Sequence, residues 1–206
     1  MELDIFFKVF FICALGAMSP GPSWVLVINN SIFNGRINGL FTSIGHGLGI
    51  TIYAFIANLS INFIIQINEK VFLVMKICSI IFLLYLGLKS LKGDKLKLKK
   101  KLESKKLNAF FEGFLVAILN PKVFIWFIAI YSQFISPNND MLFNFILIGT
   151  AGLVDTTWYS ILVIFITRDS MVSYLEKKSD ILQKSIGYIF ILIALILSTT
   201  TLYEML

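Results

Sequence analysis

The chain has 206 residues, of which 57% are hydrophobic and only 15% charged, with a formal net charge of +6. Because a soluble domain carries about 25% charged residues, this composition excludes an ordinary soluble protein and indicates an integral membrane protein. The two cysteines, Cys13 and Cys78, both lie in apolar runs. A multi-disulfide scaffold is therefore excluded, and two buried thiols are predicted.

Apolar stretches long enough to cross a membrane as a helix, about 20 residues each, recur six times along the chain. The first stretch has no basic start and no small-residue cleavage site, so it is interpreted as a retained helix and not as a signal peptide. Polar joints, including residues 168–180, separate the stretches. A single transmembrane domain, 1–206, is predicted. Its spans cover about 5–29, 38–65, 71–91, 109–135, 141–167 and 184–203.

The first and fourth predicted spans each contain a helix break at a similar depth. Proline lacks an N–H and costs about 3 kcal/mol in a helix interior, so either neighbouring helices repair a kink or the freed backbone lines a wet cavity. Paired breaks favour two inverted three-helix halves, 1–91 and 107–206, with a solute site at the breaks. The candidate translocation residues there are Ser19, Pro20, Gly21, Pro22, Asn120, Pro121 and Lys122.

A lysine-rich linker, 92–106, joins the two halves and belongs to a run of nine lysines in residues 89–106. Nucleic-acid binding is disfavoured because the run lies between two spans and has no aromatic residues for base stacking. If the six spans alternate, this side of the membrane receives fourteen of the eighteen basic residues. The positive-inside rule then predicts a cytoplasmic linker, able to contact anionic lipids, with both termini outside.

Three ionisable side chains lie deep within predicted spans, where such groups by default mark substrate pathways or proton relays. These residues are His46, Lys122 and Asp155. Three other ionisable residues lie within about two turns of a span end, where side chains can reach the interface. These residues are Lys8, Lys76 and Glu112, and they are not counted as pathway candidates.

Each of the deep residues has a structural and a functional interpretation. His46 is either a hydrogen-bonded core residue or a group that takes up protons or contacts solute. Asp155, followed by Thr156, is either a static pairing group or a proton carrier, because burial disfavours an isolated carboxylate charge. Lys122 is expected to pair with Asp155 or with a solute carboxylate, since buried charges are normally paired.

The second and fifth spans share a short pattern of spacing. Gly49–Tyr53 aligns with Asp155–Tyr159. This alignment predicts that His46 and Asp155 lie about one turn apart on equivalent helices, as expected for an internal repeat.

Three spaced motifs cover most of the chain. The first combines a Pro-Gly-Pro with a later serine and a Gly-Arg, the second centres on Asn-Pro-Lys, and the third is an aspartate near two aromatic residues. They comprise Pro20-Gly21-Pro22, Ser31, Gly35-Arg36 and Gly39; then Gly113-Phe114, Asn120-Pro121-Lys122 and Gln133-Phe134; then Asp155, Trp158 and Tyr159.

This combination resembles the LysE/RhtB family of bacterial amino-acid exporters. The resemblance implies a six-helix exporter of amino acids or related small zwitterions in the bacterial inner membrane, with no cofactor and no enzymatic activity. Two positions depart from the family pattern. Ser23 stands where members commonly have Asn, and Ser132 where they commonly have Pro. These departures leave the substrate open.

The sequence therefore predicts secondary export, with proton antiport through Asp155 and His46. No phosphate-binding GxxxxGK[ST] motif is present to indicate ATP drive. A heavy-metal exporter is the alternative, but it would need clustered soft or carboxylate ligands at depth, and the cysteines, His46 and Asp155 are scattered. A membrane thiol–disulfide electron carrier would need cysteines at equivalent places in both halves, and a scaffold would show no flux. Glycine-rich helix faces would allow a homodimer.

Overall fold

The computed structural model describes residues 2–92, 106–135, 140–166 and 169–204. Within these ranges every regular element is an α-helix and no strand is present. The eight helices are α1 (Glu2–Met18), α2 (Pro22–Phe33), α3 (Arg36–Ile67), α4 (Glu69–Leu91), α5 (Lys106–Ile118), α6 (Pro121–Phe134), α7 (Met141–Ile166) and α8 (Asp169–Glu204).

Six membrane spans account for these helices. Helices α3, α4, α7 and α8 are each long and apolar enough to cross a membrane alone. The pair α1–α2 bends by 65° and the pair α5–α6 by 58°, and each pair has the length and composition of one broken span. The predicted all-α membrane architecture, with six spans and with breaks in the first and fourth, is confirmed.

Three features differ from the sequence-based expectation or lie outside the described residues. Helix α8 begins at Asp169, so the polar joint predicted at 168–180 is wrong from that residue onward. Charged side chains at helical spacing support this extension, as in the exposed Lys184–Asp180 pair at 2.8 Å. Cys78 is exposed on the helix surface, so only Cys13 is the predicted buried thiol. Most of the lysine-rich linker, 93–105, lies outside the described residues.

The first helix break is stabilised by local hydrogen bonds. Pro22 takes the first position of α2, where its missing N–H costs nothing. The Ala17 carbonyl, left without a helical partner, accepts a hydrogen bond from Trp24 Nε1 at 2.8 Å. The Gly16 carbonyl accepts from the Ser19 amide at 3.2 Å. Buried aromatic and backbone donors thus replace the hydrogen bonds that proline removes.

The second break is stabilised in a similar way by another helix. The Ile118 carbonyl at the end of α5 accepts a hydrogen bond from the Tyr53 hydroxyl of α3. The Asn120 amide donates to the Ala117 carbonyl at 3.2 Å. Both breaks therefore keep a fixed geometry at membrane depth, where unpaired backbone groups would cost several kcal/mol each, by a rough general estimate.

Helices α3 and α7 cross at a pair of glycines. A Cβ added to Gly47 would overlap Thr156 Oγ1, and a Cβ added to Gly152 would overlap Thr51 Oγ1. Each added Cβ would also lie 3.0 Å from the other glycine's carbonyl oxygen. The contacts are reciprocal and run in opposite directions along the two helices. The local two-fold axis therefore lies across both helices, as inverted halves require.

This crossing defines the register of the two spans. The stretch GLGIT, 47–51, is equivalent to GLVDT, 152–156. The predicted alignment of Gly49–Tyr53 with Asp155–Tyr159 is wrong by one residue, because close packing at glycine fixes the register and tyrosine spacing does not. Under the corrected register His46 and Asp155 still lie about one turn apart, since Asp155 is equivalent to Ile50.

Candidate functional site

A buried cavity of about 60 Å³ lies where the two helix breaks face the α3–α7 crossing. This space is enough for several water molecules. Each broken span contributes residues from its break, and α3 and α7 contribute side chains from one face. The cavity is lined by Cys13, Gly16, Ala17, Ser19, Gly21, Pro22, Ser23, His46, Ile50, Asn120, Val123, Trp126, Phe127, Ala151, Asp155, Tyr159 and Phe190.

Asp155 and His46 form a buried pair on the cavity wall. His46 Nδ1 lies 2.7 Å from Asp155 Oδ2, and the two side chains are 3% and 7% exposed. On its other side, His46 Nε2 lies 2.7 Å from Ser23 Oγ. The Tyr159 ring meets the imidazole edge to face, with ring centroids 5.0 Å apart. The imidazole, on α3, is therefore held by partners on two other helices, α2 and α7.

This arrangement can hold two protonation states without moving a heavy atom. A neutral imidazole that donates from Nδ1 to Asp155 keeps Nε2 as an acceptor for the Ser23 hydroxyl. An imidazolium donates from both nitrogens, and Ser23 Oγ then accepts. Asp155 lies 2.7 Å from the imidazole, so both ring nitrogens keep a hydrogen-bond partner in either form.

The first turn of α2 lies beside this pair, and its amides have no helical partners. Gly21 is the N-cap and makes no side-chain cap hydrogen bond, while Val25 is the first residue whose amide reaches back to the Gly21 carbonyl. The amides of Ser23 and Trp24 therefore lie at the positive end of the helix without intrahelical partners. Gly21, with Ser23, lines the cavity, so a carboxylate there would meet backbone donors.

The opposite cavity wall is apolar and largely aromatic. Trp126 and Phe190 pack with ring centroids 4.9 Å apart, and Phe127 lies beside them on α6. Gly16 allows this close packing, because a Cβ there would lie 2.9 Å from Trp126 Nε1. Sequence reasoning missed this wall, since aromatic residues are common throughout the spans and carry no positional signal.

The structure brings most of the predicted site residues together. Ser19, Gly21, Pro22, His46, Asn120 and Asp155 all line the cavity. Pro20 faces a neighbouring groove. Thr156 packs against Gly47 at the helix crossing. The side chains of Pro121 and Lys122 lie outside the described part of the chain.

Two partners of the deep residues were not predicted. The predicted partner for Asp155 was Lys122, whereas the structure pairs it with His46. Ser23 was noted only as a departure from a family pattern, although its hydroxyl contacts the imidazole. The one-turn offset between His46 and Asp155 on equivalent helices was the signal that could have indicated their pairing.

A second polar cluster lies between α2, α3 and α5. Asn30 is fully buried, and its amide donates to Thr42 Oγ1 at 2.9 Å and to Glu112 Oε2 at 3.0 Å. Asn34 Nδ2 in turn donates to Asn30 Oδ1 at 3.0 Å. Glu112, which the sequence analysis set aside as able to reach the membrane interface, is half-buried, and its carboxylate contacts this buried amide.

The described residues contain no group of three or more His, Cys, Asp or Glu side chains that could hold a metal ion. Cys13 lines the cavity, but Cys78 is exposed on the helix surface. The cavity thus presents one carboxylate, one imidazole, one thiol, hydroxyls and amides.

The sequence is similar to one family model and to several known proteins. The family model described as LysE type translocator matches residues 14–201. The uncharacterized membrane protein YrhP of Bacillus subtilis is 26% identical over 87% of this chain and 91% of its own. The threonine efflux protein of Salmonella typhi is 22% identical over 77% of this chain and 80% of its own. That of Escherichia coli K12 is 26% identical over 66% and 69%. No solved structure matches significantly.

Proposed function

Because the chain belongs to the family of LysE type translocators, we propose that it is a secondary exporter of amino acids or related small zwitterions, driven by proton antiport. The observation that carries the proposal is the buried Asp155–His46 pair on a cavity formed by two broken spans. Ionisable residues inside a membrane bundle are costly, and by default they mark a substrate pathway or a proton relay. Broken helices at the same depth expose backbone groups that can bind a solute.

The cavity offers a complementary surface to each end of a zwitterion. The solute carboxylate would bind the free amides in the first turn of α2, at the positive end of the helix dipole. The solute ammonium would face Asp155 and the carbonyl end of α1, whose residues Gly16 and Ala17 line the cavity. Lys122, in the first turn of α6, is proposed as a further partner for the carboxylate.

Proton coupling would arise from competition for Asp155. When the ammonium of a solute approaches the carboxylate, the pair no longer needs a proton on His46 to balance its charge. When solute leaves, the empty site takes up a proton from the outer side, and the pair carries this proton inward. One solute and one proton would thus use the same buried carboxylate in alternation.

A small amino acid is the first solute to test. Two of the similar proteins are named threonine efflux protein. The cavity also combines the hydroxyls of Ser19 and Ser23 with an aromatic wall. We further propose an inner-membrane location, a cytoplasmic 92–106 linker, termini outside, and halves 1–91 and 107–206. A homodimer is also proposed, with membrane lipids around it.

The decisive experiment is amino-acid efflux from cells loaded by dipeptide feeding, including threonine dipeptides. Wild type should release one or a few amino acids faster than empty-vector cells, and a protonophore should abolish the difference. Asp155→Asn should reduce this efflux at least about tenfold, because the variant loses the charge that meets the ammonium and the proton. Efflux rates and the amount of protein in the membrane are measured together.

Asp180→Asn is the matched control, since Asp180 forms an exposed pair with Lys184 outside the cavity. It should leave efflux within about twofold of wild type, because exposed pairs contribute about 0–1 kcal/mol. If no amino acid responds although wild-type protein is present in the membrane, the amino-acid proposal fails. Metal resistance would then be measured, as the heavy-metal alternative requires.

A further inference from the structure

The two halves of the bundle differ at one pair of equivalent boundaries. By chain order and by the two-fold at the α3–α7 crossing, α2 is equivalent to α6 and α4 to α8. The boundary between α2 and α8 is therefore equivalent to the boundary between α6 and α4. In a symmetric conformation both would be packed or both would be open.

The α4–α6 boundary is closed. The two helices pack along each other, and Ser79 Oγ lies 3.3 Å from Ser132 Oγ, with both side chains buried. Gln133 Nε2 also donates to the Lys76 carbonyl at 3.4 Å. This seam lies toward the side of the membrane where α4 begins and α6 ends.

The α2–α8 boundary is open. A groove of about 390 Å³ separates the two helices. The groove lies on the side where α2 ends and α8 begins, which is the basic side of the membrane by the positive-inside rule. It is lined by Pro20, Trp24, Lys178, Ser179, Ile181, Leu182 and Ser185.

The SPGP segment, 19–22, borders both this groove and the central cavity. Ser19, Gly21, Pro22 and Ser23 line the cavity, whereas Pro20 and Trp24 line the groove. The same short segment is thus the wall of both spaces. A small displacement of this segment would join them.

We propose that the groove between α2 and α8 is the cytoplasmic entrance for the exported solute, and that the α4–α6 seam is the closed exit gate. The nature of the solute rests on the proposed function, whereas the open and closed boundaries do not. Lys178 is the cation at the entrance, and its ammonium can attract the carboxylate of a zwitterion before the α2 amides bind it. Ser185, which is exposed, adds a polar group to the same wall.

The outward-open conformation follows from exchanging the two boundaries. Helix α2 would leave α3 and pack on α8, while α6 would leave α4 and pack on α7. This movement breaks the Asn30–Thr42 hydrogen bond and the contact between Ser23 and His46. The His46 imidazole therefore connects the proton site to the helix that opens and closes the entrance.

Cysteine labelling tests which boundary is open. In a Cys78→Ala background that retains buried Cys13, Ser185→Cys reports on the groove and Ser132→Cys on the seam. A charged, membrane-impermeant maleimide is added to inside-out vesicles, and labelling of the background protein is subtracted. Ser185→Cys should label at least about tenfold faster than Ser132→Cys, whose exposure needs the minor conformation.

The same reagent on right-side-out vesicles gives the converse measurement. Faster labelling of Ser132→Cys from the outside than of Ser185→Cys from the inside would reverse the assignment. If Ser185→Cys labels from neither side, the groove is filled by lipid and the entrance is refuted. Neither measurement requires solute, so a failed efflux assay would leave this test intact.

Cross-linking tests whether the seam must open. The double variant Ser79→Cys/Ser132→Cys, treated with copper–phenanthroline as oxidant, should form a disulfide within one chain, because the two hydroxyl oxygens are 3.3 Å apart. Efflux should then fall to the empty-vector level and recover on reduction. The two single variants control for cross-links between chains. Continued efflux by the fully cross-linked protein would show that the seam is not a gate.

Discussion

Helices α3 and α7 have the same backbone geometry at their crossing but opposite chemistry at the cavity. The two-fold at the crossing makes Ile50 equivalent to Asp155 and Ala151 equivalent to His46. All four residues line the cavity. Each helix therefore contributes one polar and one apolar side chain, and the two polar groups come from opposite helices and meet across the axis, 2.7 Å apart.

The helix crossing and the cavity side chains therefore follow different rules: the crossing is symmetric, whereas the polar side chains are not. Glycines that permit close approach occur on both helices, because both must pack in the same way. A symmetric pair of carboxylates would place two like charges near each other in a low-dielectric site, which is unfavourable. One carboxylate and one imidazole instead give a single buried pair, with one member from each half.

The largest effect on efflux is expected when the His46 imidazole is replaced and the helix packing is left unchanged. His46→Gln retains a side chain that can donate to Asp155 but cannot carry a proton. Proton-driven efflux should fall at least about 30-fold, whereas solute exchange without net proton movement should persist. His46 is the single histidine of the chain, so the variation of efflux between about pH 5 and 8 should flatten in this variant.

Efflux and exchange are measured in the same vesicles with and without an imposed pH gradient. Equal losses of both activities would indicate a structural role for His46 and would contradict the relay. Retention of the wild-type pH profile in His46→Gln would assign the proton to another group.

A smaller effect, on stability, is expected when the glycines of the α3–α7 crossing are replaced and the cavity side chains are kept. Gly47→Ala places a methyl group on Thr156 Oγ1, and Gly152→Ala places one on Thr51 Oγ1. Each substitution should destabilise the protein by about 1–3 kcal/mol, or lower the melting temperature by about 2–10 °C for a chain of this size. The two shifts should be similar, because the contacts are related by the two-fold.

Second substitutions make this prediction specific to the crossing. Thr156→Ala should recover part of the loss in Gly47→Ala, and Thr51→Ala should do so in Gly152→Ala. The exchanged combinations, Gly47→Ala with Thr51→Ala and Gly152→Ala with Thr156→Ala, should give no recovery. Thermal unfolding in detergent is the measurement, and rescue by the exchanged combinations would contradict the register of the crossing.

The sequence predicts features whose cause is local. Proline breaks a helix wherever it lies, so the interruptions at Pro20 and Pro121 are visible without any tertiary contact. Span count follows in the same way from the length of apolar runs. The pairing of His46 with Asp155 has no local cause, because it depends on the register at which α3 crosses α7.

Depth along a span was also an incomplete guide to the ionisable residues. Glu112 lies near a span end, where a side chain can reach water, yet α2 places the buried Asn30 amide 3.0 Å from its carboxylate. Lys122 lies deep and was the expected partner of Asp155, but an equally deep imidazole holds that carboxylate. Position within one helix limits how costly a charge is, whereas the neighbouring helix decides which partner it finds.

The smallest effect is expected at the contact between Ser23 on α2 and the His46 imidazole. Ser23→Ala removes the hydroxyl on His46 Nε2 and leaves the Asp155–His46 pair and the backbone amides of α2 in place. Efflux should fall by about three- to tenfold, the equivalent of one hydrogen bond of about 1 kcal/mol. Ser23→Thr retains a hydroxyl and is the matched control.

If Ser23 couples proton binding to the movement of α2, Ser23→Ala should also weaken the dependence of efflux on the pH gradient, and Ser23→Thr should restore it. An unchanged dependence would mean that Ser23 only packs against the imidazole, and that the proton site acts on α2 through the cavity itself.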